Sequence, residues 1–196
     1  MARRAEDGGA EGEIRDGRIR RTERSRAKMV KAFFELVGEG VLQPTAQQVA
    51  ERAGVGIRTV FRHFSEMDRL FAEIDAMVRE QIEPHLVRRT GEGAVADRAV
   101  ALVHDRAALF ERFAPYMRAT RISRLRSEFL RRTFAEFVRR QRAALLEALP
   151  ELAGAPADLQ DAFEVATSFE TWDRLRTDQR LGAARTRAAM ERTVLA

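Results

Sequence analysis

Residues 45–71, TAQQVAERAGVGIRTVFRHFSEMDRLF, contain the local signals for two short helices joined by a tight turn. Thr45 is suited to cap a helix start, and Gln48, three residues later, completes a capping box ahead of an apolar stretch. Gly54 follows, and glycine readily adopts the left-handed backbone that ends a helix. The spacing therefore predicts a short helix, a sharp turn encoded in the chain and a second short helix.

The second helix of this segment is predicted to be amphipathic. Its apolar residues recur at three- and four-residue spacing: Ile57, Val60, Phe61 and Phe64. Its other side carries polar residues: Arg58, Thr59, Arg62 and His63. Because arginine can bond guanine in a bidentate manner and threonine can reach base or phosphate, such a helix suits a major groove. The pattern indicates a helix-turn-helix for DNA, with Ser65 and Asp68 starting a third helix.

These residues resemble the DNA-binding signature of the TetR family of bacterial transcriptional regulators. The matching positions are Val49, Ala50, Ala53, Gly54, Val55, Thr59, Phe64 and Leu70. The resemblance is dense over residues 49–71 and is architectural only outside residues 20–75. The chain departs from the family at three positions. Gly56 replaces a common capping serine, Phe61 replaces a tyrosine that offers its hydroxyl to phosphate, and Met67 replaces a lysine that contacts phosphate.

The resemblance implies a homodimer that binds a double-stranded, near-palindromic DNA operator, and most such regulators repress. It also implies a pocket for an unidentified small-molecule effector in the C-terminal bundle. The sequence contains no metal or cofactor motif, so no metal or other cofactor is expected. The expected DNA-binding residues are Thr45, Gln47, Gly56, Arg58, Thr59, Phe61, Arg62, His63 and Arg69. Under this hypothesis Arg58, Thr59 and Arg62 contact or position DNA, while Thr45 and His63 contact its backbone.

The charge distribution agrees with a DNA-binding N-terminal part. Residues 14–64 hold eleven Lys/Arg against five Asp/Glu, a surplus of six, whereas the whole chain has a formal net charge of +5. The rest of the chain is therefore close to neutral. Such asymmetry is the electrostatic footprint expected for phosphate binding, although a charged stretch is also the ordinary composition of a solvated face.

Glycines and prolines predict the organisation of the chain. Residues 1–20 are predicted to be a disordered basic arm, which can reach DNA or remain solvated. Residues 21–66 form the predicted helix-turn-helix domain, whose first helix covers residues 22–38. Residues 67–196 form the predicted ligand-binding and dimerisation domain. The predicted fold class is therefore all-α, with a connecting helix over 68–86 that joins the DNA-binding domain to a C-terminal bundle.

Apolar residues keep helical spacing through the C-terminal part of the chain. No segment there shows a convincing alternation of apolar and polar residues that would indicate a strand. The predicted helices cover residues 95–113, 116–121, 123–149, 157–178 and 182–195. Pro115 and Pro150 stand where helices are expected to break.

Two functional surfaces are predicted on this bundle. Aromatic and methionine side chains can line an apolar pocket, although such stripes are also typical of core: Phe110, Phe113, Tyr116, Met117, Phe134, Phe137 and Trp172. Apolar residues on more than one side of the helix at 157–178 favour a dimer through the last two helices. The residues expected there are Phe163, Phe169, Leu175, Met190 and Val194. The alternative is that Phe169 and Trp172 belong to the core of one chain.

Other functional classes find no support in the sequence. No motif has the spacing of a nucleophile elbow, a phosphate loop, a dinucleotide loop or a paired-histidine zinc site, so an enzyme is not expected. The chain has no cysteine, no long apolar run and no apolar leader, which favours a cytoplasmic protein. The alternative function is a dimeric small-molecule-binding or interaction protein whose helix-turn-helix has decayed, as the changes at Phe61 and Met67 would allow.

Overall fold

The structure is a computed structural model that describes the backbone of residues 7–64, 67–86 and 93–196. Within these ranges, it leaves out the side chains of residues 7–19, 21, 63–70, 81 and 83–86. All regular secondary structure in the described ranges is helical, which confirms the all-α prediction. Internal contacts divide the chain into a first unit, Met1–Asp75, and a second unit, Ala76–Ala196.

The first unit contains helices α1 (Asp7–Gly38), α2 (Ala46–Ala53) and α3 (Ile57–Phe64), and the beginning of α4 (Met67–Leu86). Its core comes mainly from one face of α1, which packs against α2. The buried residues of α1 are Met29, Val30, Ala32, Phe33, Leu36 and Val37. Their helical spacing explains why the predicted first helix over residues 22–38 packs with one face inward.

Helix α1 begins earlier than the sequence predicts. The helix starts at Asp7, so residues 7–20 are helical where composition indicates a disordered arm. Once the packed part of α1 has formed a nucleus, each added residue contributes a hydrogen bond at low entropic cost. The Arg and Glu residues of the arm are also good helix formers. Residues 1–6 lie outside the described part of the chain.

The second unit contains the rest of α4, followed by α5 (Val95–Ser123) and α6 (Glu128–Ala148). A 3₁₀ turn (Pro150–Gly154) leads into α7 (Ala157–Ala166) and α8 (Phe169–Asp173). A π-helical segment (Arg174–Asp178) and α9 (Ala183–Val194) complete the chain. The core of this unit includes Phe110, Phe113, Phe169, Trp172 and Met190. The predicted helix at 182–195 is confirmed as α9.

The expected break at Pro115 is wrong, because α5 runs continuously through this residue. Proline inside a helix removes one hydrogen bond and costs about 3 kcal/mol. Its neighbours Phe113 and Ala114 are buried, and Ala119 is buried one turn later. Burial of this face on both sides of the proline offsets the local cost. The next helix, α6, begins at Glu128 rather than 123, because Ser127 caps it by accepting a hydrogen bond from the Leu130 amide at 3.2 Å.

The helix predicted over residues 157–178 is interrupted between α7 and α8. Thr167 leaves helical geometry, and Ser168 caps α8 by accepting a hydrogen bond from the Thr171 amide at 3.2 Å. The buried Arg106 of α5 donates to the Thr167 hydroxyl and carbonyl, and to the Gln141 carbonyl at 2.6 Å. Burial lowers the pKa of Arg106 to about 10, and the charge of Glu164 opposes this shift. One guanidinium therefore ties α5, α6 and the break together.

Candidate nucleic-acid interface

The start of α2 is held by the predicted capping box. The Gln48 amide donates to Oγ1 of Thr45 at 3.2 Å, and the Thr45 amide donates to Oε1 of Gln48 at 2.9 Å. Thr45 has extended backbone angles, with φ −76° and ψ 157°. Two amides that a helix start leaves without intrahelical partners are thus satisfied by nearby residues. The sequence prediction for this end of the helix is confirmed.

The turn between α2 and α3 is formed by Gly54. Its backbone is left-handed, with φ 64° and ψ 40°. The Gly54 amide donates to carbonyls of the last turn of α2, and the Val55 amide donates to the Ala50 carbonyl at 3.1 Å. These bonds satisfy carbonyls that the helix end would otherwise leave free. The predicted role of Gly54 is confirmed, and the direction of α3 is therefore set within a few residues.

Packing and an ion pair hold α2 in place. Val49 and Ala50 are buried on α2, and Val60 is buried on α3. On the other side, Arg52 makes a bidentate pair with Glu39, with both N···O distances at 2.8 Å. The hydrogen bond from Arg52 is the main cause that lowers the pKa of Glu39. The pair joins the last turn of α2 to the residue that follows α1. It therefore restrains α2 relative to α1.

The outer face of α3 carries Arg58, Phe61 and Arg62, which are all exposed. They lie at positions i, i+3 and i+4, which share one side of a helix. Phe61 is 62% exposed, so its predicted inward position is wrong. Val60 is buried instead, and Ile57 and Thr59 are half-buried. The structure therefore presents two guanidinium groups around an exposed aromatic ring, a set that can contact phosphates and base edges.

Other predicted contact residues lie around this face or outside the described side chains. Thr45 and Gln47 are exposed at the start of α2, and Gly56 is exposed in the turn. The Gln47 side chain donates to Oε1 of Glu51 at 2.6 Å. The side chains of His63 and Arg69, like that of Met67, are not among those described, so the roles expected for these residues stay predictions.

The predicted ligand pocket is mostly core. Phe110, Phe113 and Trp172 are buried, and the ring centroids of Phe110 and Trp172 lie 5.9 Å apart. Tyr116 and Met117 are half-buried against the same cluster. These five residues therefore pack in or against the core of the second unit.

A cavity of about 720 Å³ occurs elsewhere in the second unit, and Phe134 and Phe137 line it as expected. The cavity lies beside α6 and the segment that runs from α7 through the π-helical residues. Sequence reasoning missed Val138 and Gln141 on its α6 side. The signal was available, because Gln141 interrupts an apolar helical stripe between Phe137 and Leu145. The Gln141 side-chain nitrogen is buried and has no hydrogen-bond partner among the described residues.

Two of the predicted dimer residues belong to the core of the single chain. Phe169 and Met190 are buried, which corrects their assignment to a surface. Phe163, Leu175 and Val194 are half-buried. Large apolar side chains with greater exposure occur on α7, where Leu159 is 48% and Val165 is 64% exposed.

Two further site types are absent from the described residues. There, no group of three or more His, Asp or Glu residues is arranged to hold a metal ion. None of the helices in that part of the chain has the length and apolarity needed to cross a membrane.

Comparison with known proteins agrees with the geometry of the first unit. The family model described as "Bacterial regulatory proteins, tetR family" matches residues 34–74, which include α2, the Gly54 turn and α3. No curated protein matches the chain.

Two solved structures share the fold. A TetR transcriptional regulator from Rhodococcus sp. RHA1 is similar with a TM-score of 0.55 and 21% identity, covering 88% of this chain and 94% of that chain. A candidate transcriptional regulator from Streptomyces coelicolor A3(2) is similar with a TM-score of 0.55 and 23% identity, covering 88% of this chain and 99% of that chain. Residues 34–74 therefore match the model of this family, and most of the chain shares the fold of the two solved structures.

Proposed function

We propose that this protein is a DNA-binding transcriptional regulator of the TetR family. In this proposal it is a repressor that binds a near-palindromic operator as a homodimer and responds to a small-molecule effector. The observation that carries the DNA-binding part is the exposed face of α3, where Arg58, Phe61 and Arg62 lie together. This face follows the Gly54 turn, and both ends of the preceding helix α2 are satisfied by local hydrogen bonds. A rigid, basic helix of this size suits a major groove.

The three side chains have different expected roles. Arg58 is suited to a bidentate bond with guanine, which would make it a source of base preference. Arg62 lies one turn further along the helix and is suited to a phosphate or a second base. Phe61 has no hydroxyl for a phosphate, so its ring is expected to contribute apolar contact only.

Exposed apolar side chains support the homodimer. Leu159 and Val165 lie on the surface of α7, with Phe163 half-buried between them in sequence. A two-fold dimer that covers this helix would remove the apolar groups from water. It would also supply a second copy of α3, and two copies related by a two-fold axis favour a near-palindromic site.

The effector part of the proposal is supported by the cavity of about 720 Å³ in the second unit. Such a volume is within the range that small molecules occupy in proteins. An effector that binds one conformation of the dimer better than another shifts the population between them. In a repressor, the conformation that the effector favours would bind the operator less tightly. The effector would therefore allow transcription of the repressed genes.

The test is a selection of random duplexes on the full-length protein, followed by titration of the winning duplex at several salt concentrations. We expect a near-palindromic winner bound by an even number of subunits, as determined by the mass of the complex. Affinity should fall steeply with salt and remain well above that for random DNA. No enrichment over random DNA would favour the decayed helix-turn-helix instead.

A matched pair of arginine variants separates base contact from general charge. Arg58→Ala should lower affinity for the winning duplex by about 1–3 kcal/mol and relax the base preference at one position. Arg132→Ala removes an exposed arginine from α6 and should change neither quantity. If Arg58 contacts only phosphate, affinity should fall on all sequences and the salt slope should drop by about one.

A further inference from the structure

The cavity of the second unit has an apolar wall that follows one stripe of α6. Phe134, Phe137 and Val138 line the cavity from this helix, and Phe169 lines it from α8. The ring centroids of Phe134 and Phe137 lie 6.2 Å apart, with 39° between the ring planes. Ring contacts of this kind add to the burial of apolar area, so the wall favours a ligand with an aromatic ring.

Gln141 continues this stripe one turn further along α6. It follows Phe137 by four residues, so the two side chains lie on the same face of the helix. Gln141 is also part of the cavity lining, although only 5% of its surface is exposed. Its side-chain nitrogen is buried and has no hydrogen-bond partner among the described residues. A buried amide without a partner costs free energy, and a hydrogen bond to a ligand would remove that cost.

The other uncharged polar side chains of the lining differ from Gln141, because the chain uses their donors. The hydroxyls of Ser168 and Thr171 both donate to the Val165 carbonyl, at 2.8 and 2.6 Å. The backbone of Gln141 is held in place, since its carbonyl accepts a hydrogen bond from Arg106 at 2.6 Å. The terminal torsion of a glutamine side chain is broad, so the nitrogen can turn to an acceptor in the cavity at low cost.

Charge on and around the lining favours neither sign of ligand. The lining carries four carboxylates and two guanidinium groups: Glu164, Glu170, Asp173, Asp178, Arg121 and Arg174. Three further guanidinium groups lie beside these carboxylates, those of Arg118, Arg142 and Arg124. A charged ligand would therefore lose its hydration without a surplus of opposite charge to offset the loss. The lining favours an uncharged ligand.

From these features we propose that the cavity binds an uncharged ligand with an aromatic ring and a carbonyl oxygen. The ring lies against Phe134 and Phe137, and the oxygen accepts a hydrogen bond from the side-chain amide of Gln141. The ligand carries both groups within about one helical turn of each other, roughly 5 Å. This ligand class deepens the effector part of the proposed function, on which its regulatory meaning rests.

The first experiment titrates 1-indanone and indane into the full-length protein without DNA, by isothermal titration calorimetry at neutral pH. Both probes are uncharged and have the same fused rings, but only 1-indanone has a carbonyl oxygen. The ratio of their affinities is then measured again in Gln141→Met, whose side chain has a similar length and no donor. This double comparison removes the difference in apolarity between the two probes.

The ratio of the two affinities should depend on the Gln141 amide. A net hydrogen bond of about 1 kcal/mol corresponds to about a fivefold change in affinity. We therefore expect the preference for 1-indanone over indane to fall about fivefold in Gln141→Met. An unchanged ratio, or no binding of 1-indanone up to its solubility limit, would overturn the proposal.

Gln179→Met is the matched control for this variant. Gln179 is exposed and lies outside the cavity lining, so the same substitution there should leave the ratio unchanged. Gln141→Leu provides a second apolar replacement if Gln141→Met is not stable. Since the Gln141 amide has no partner in the described chain, neither replacement should lower the unfolding temperature measured by circular dichroism. A lower unfolding temperature with an unchanged ratio would assign the amide to the fold and contradict the proposal.

The preference for an uncharged ligand is tested with two charged probes of similar size. Indane-1-carboxylate is negative at neutral pH, and 1-aminoindane is positive. Both should bind about fivefold less tightly than 1-indanone, because neither finds a surplus of opposite charge on the lining. Tighter binding of either charged probe would show that the ligand class is wrong.

Regulation is tested separately from ligand class. Because the titrations contain no DNA, a failure to find an operator does not affect them. If 1-indanone binds with the expected dependence on Gln141 but leaves operator affinity unchanged, the ligand class stands and the ligand-responsive part of the proposed function falls.

Discussion

Two helix interruptions in this protein are built in different ways. Between α2 and α3, the chain turns at Gly54, whose left-handed backbone bonds only to the preceding helix. Between α7 and α8, the chain breaks at Thr167 without a glycine, and Arg106 of α5, 61 residues away in sequence, donates to it. The first interruption depends on local conformational preference, and the second depends on a buried donor from another helix.

The largest expected effect comes from removing that distant donor. Arg106→Met should lower the free energy of unfolding of the second unit by about 3 kcal/mol, because the buried Thr167 groups lose charged hydrogen-bond donors. Thermal and urea unfolding would measure the loss. Arg139→Met, an exposed change on α6, is the control and should have little effect. If Arg106→Met lowered the free energy of unfolding no more than Arg139→Met, the break at Thr167 would depend on nearby residues alone, as the Gly54 turn does.

The stability of the turn at Gly54 should depend on backbone conformation alone. Gly54→Ala should destabilise the first unit by about 1–2 kcal/mol, because an L-residue at φ 64° is strained although its Cβ would meet open space. Gly56→Ala is the matched control, since Gly56 also has open space but no left-handed backbone. Amide hydrogen exchange of α2 and α3 would show the difference. Similar exchange in both variants would contradict the role assigned to the Gly54 conformation.

The two serine/threonine caps offer a closer comparison. Thr45→Ala should cost the first unit about 1 kcal/mol, because it removes half of a reciprocal capping box. Ser168→Ala should cost the second unit about 0.5 kcal/mol, at the low end for a cap. The Val165 carbonyl would still accept a hydrogen bond from the Thr171 hydroxyl, which lies 2.6 Å away. Denaturant titration of both variants measures the two costs, and a larger loss for Ser168→Ala would reverse the expected order.

The smallest effect should be the pH dependence of the first unit. Arg52 holds the pKa of Glu39 below its ordinary value of 4.5 in the folded chain. The unfolded chain therefore binds a proton more readily, so the stabilisation is present above about pH 4.5 and is lost as pH falls through the folded pKa. Arg52→Gln should remove this part of the acid dependence. Both groups are accessible to water, so the change in unfolding temperature between pH 6 and pH 3 should be modest.

Much of the first unit could be predicted from residues near one another in sequence. Thr45, Gln48 and Gly54 act within their own helix, so their hydrogen bonds follow from residue type and spacing. The exposure of Phe61 could not be predicted in this way. Helical periodicity places Phe61 near the boundary of the apolar stripe of α3. The burial of Val60 decides which side of α3 faces the core, and this leaves Phe61 exposed.

The second unit was less predictable because its decisive contacts join distant residues. Pro115 carries a breaking signal, yet α5 continues because its flanks are buried. The predicted pocket residues Phe110, Phe113 and Trp172 have the composition of either a ligand wall or a core, and tertiary packing makes them core.

The sequence by itself determined the helical class, the cap and turn of the DNA-binding motif, and the concentration of positive charge near that motif. These features follow from backbone preference, side-chain capping and residue counts, which act over a few positions. Only the tertiary structure decided where α7 ends, which aromatic residues fill the core and where a cavity remains. Those outcomes depend on burial, since an arginine such as Arg106 bonds a distant carbonyl only after the surrounding helices have excluded water.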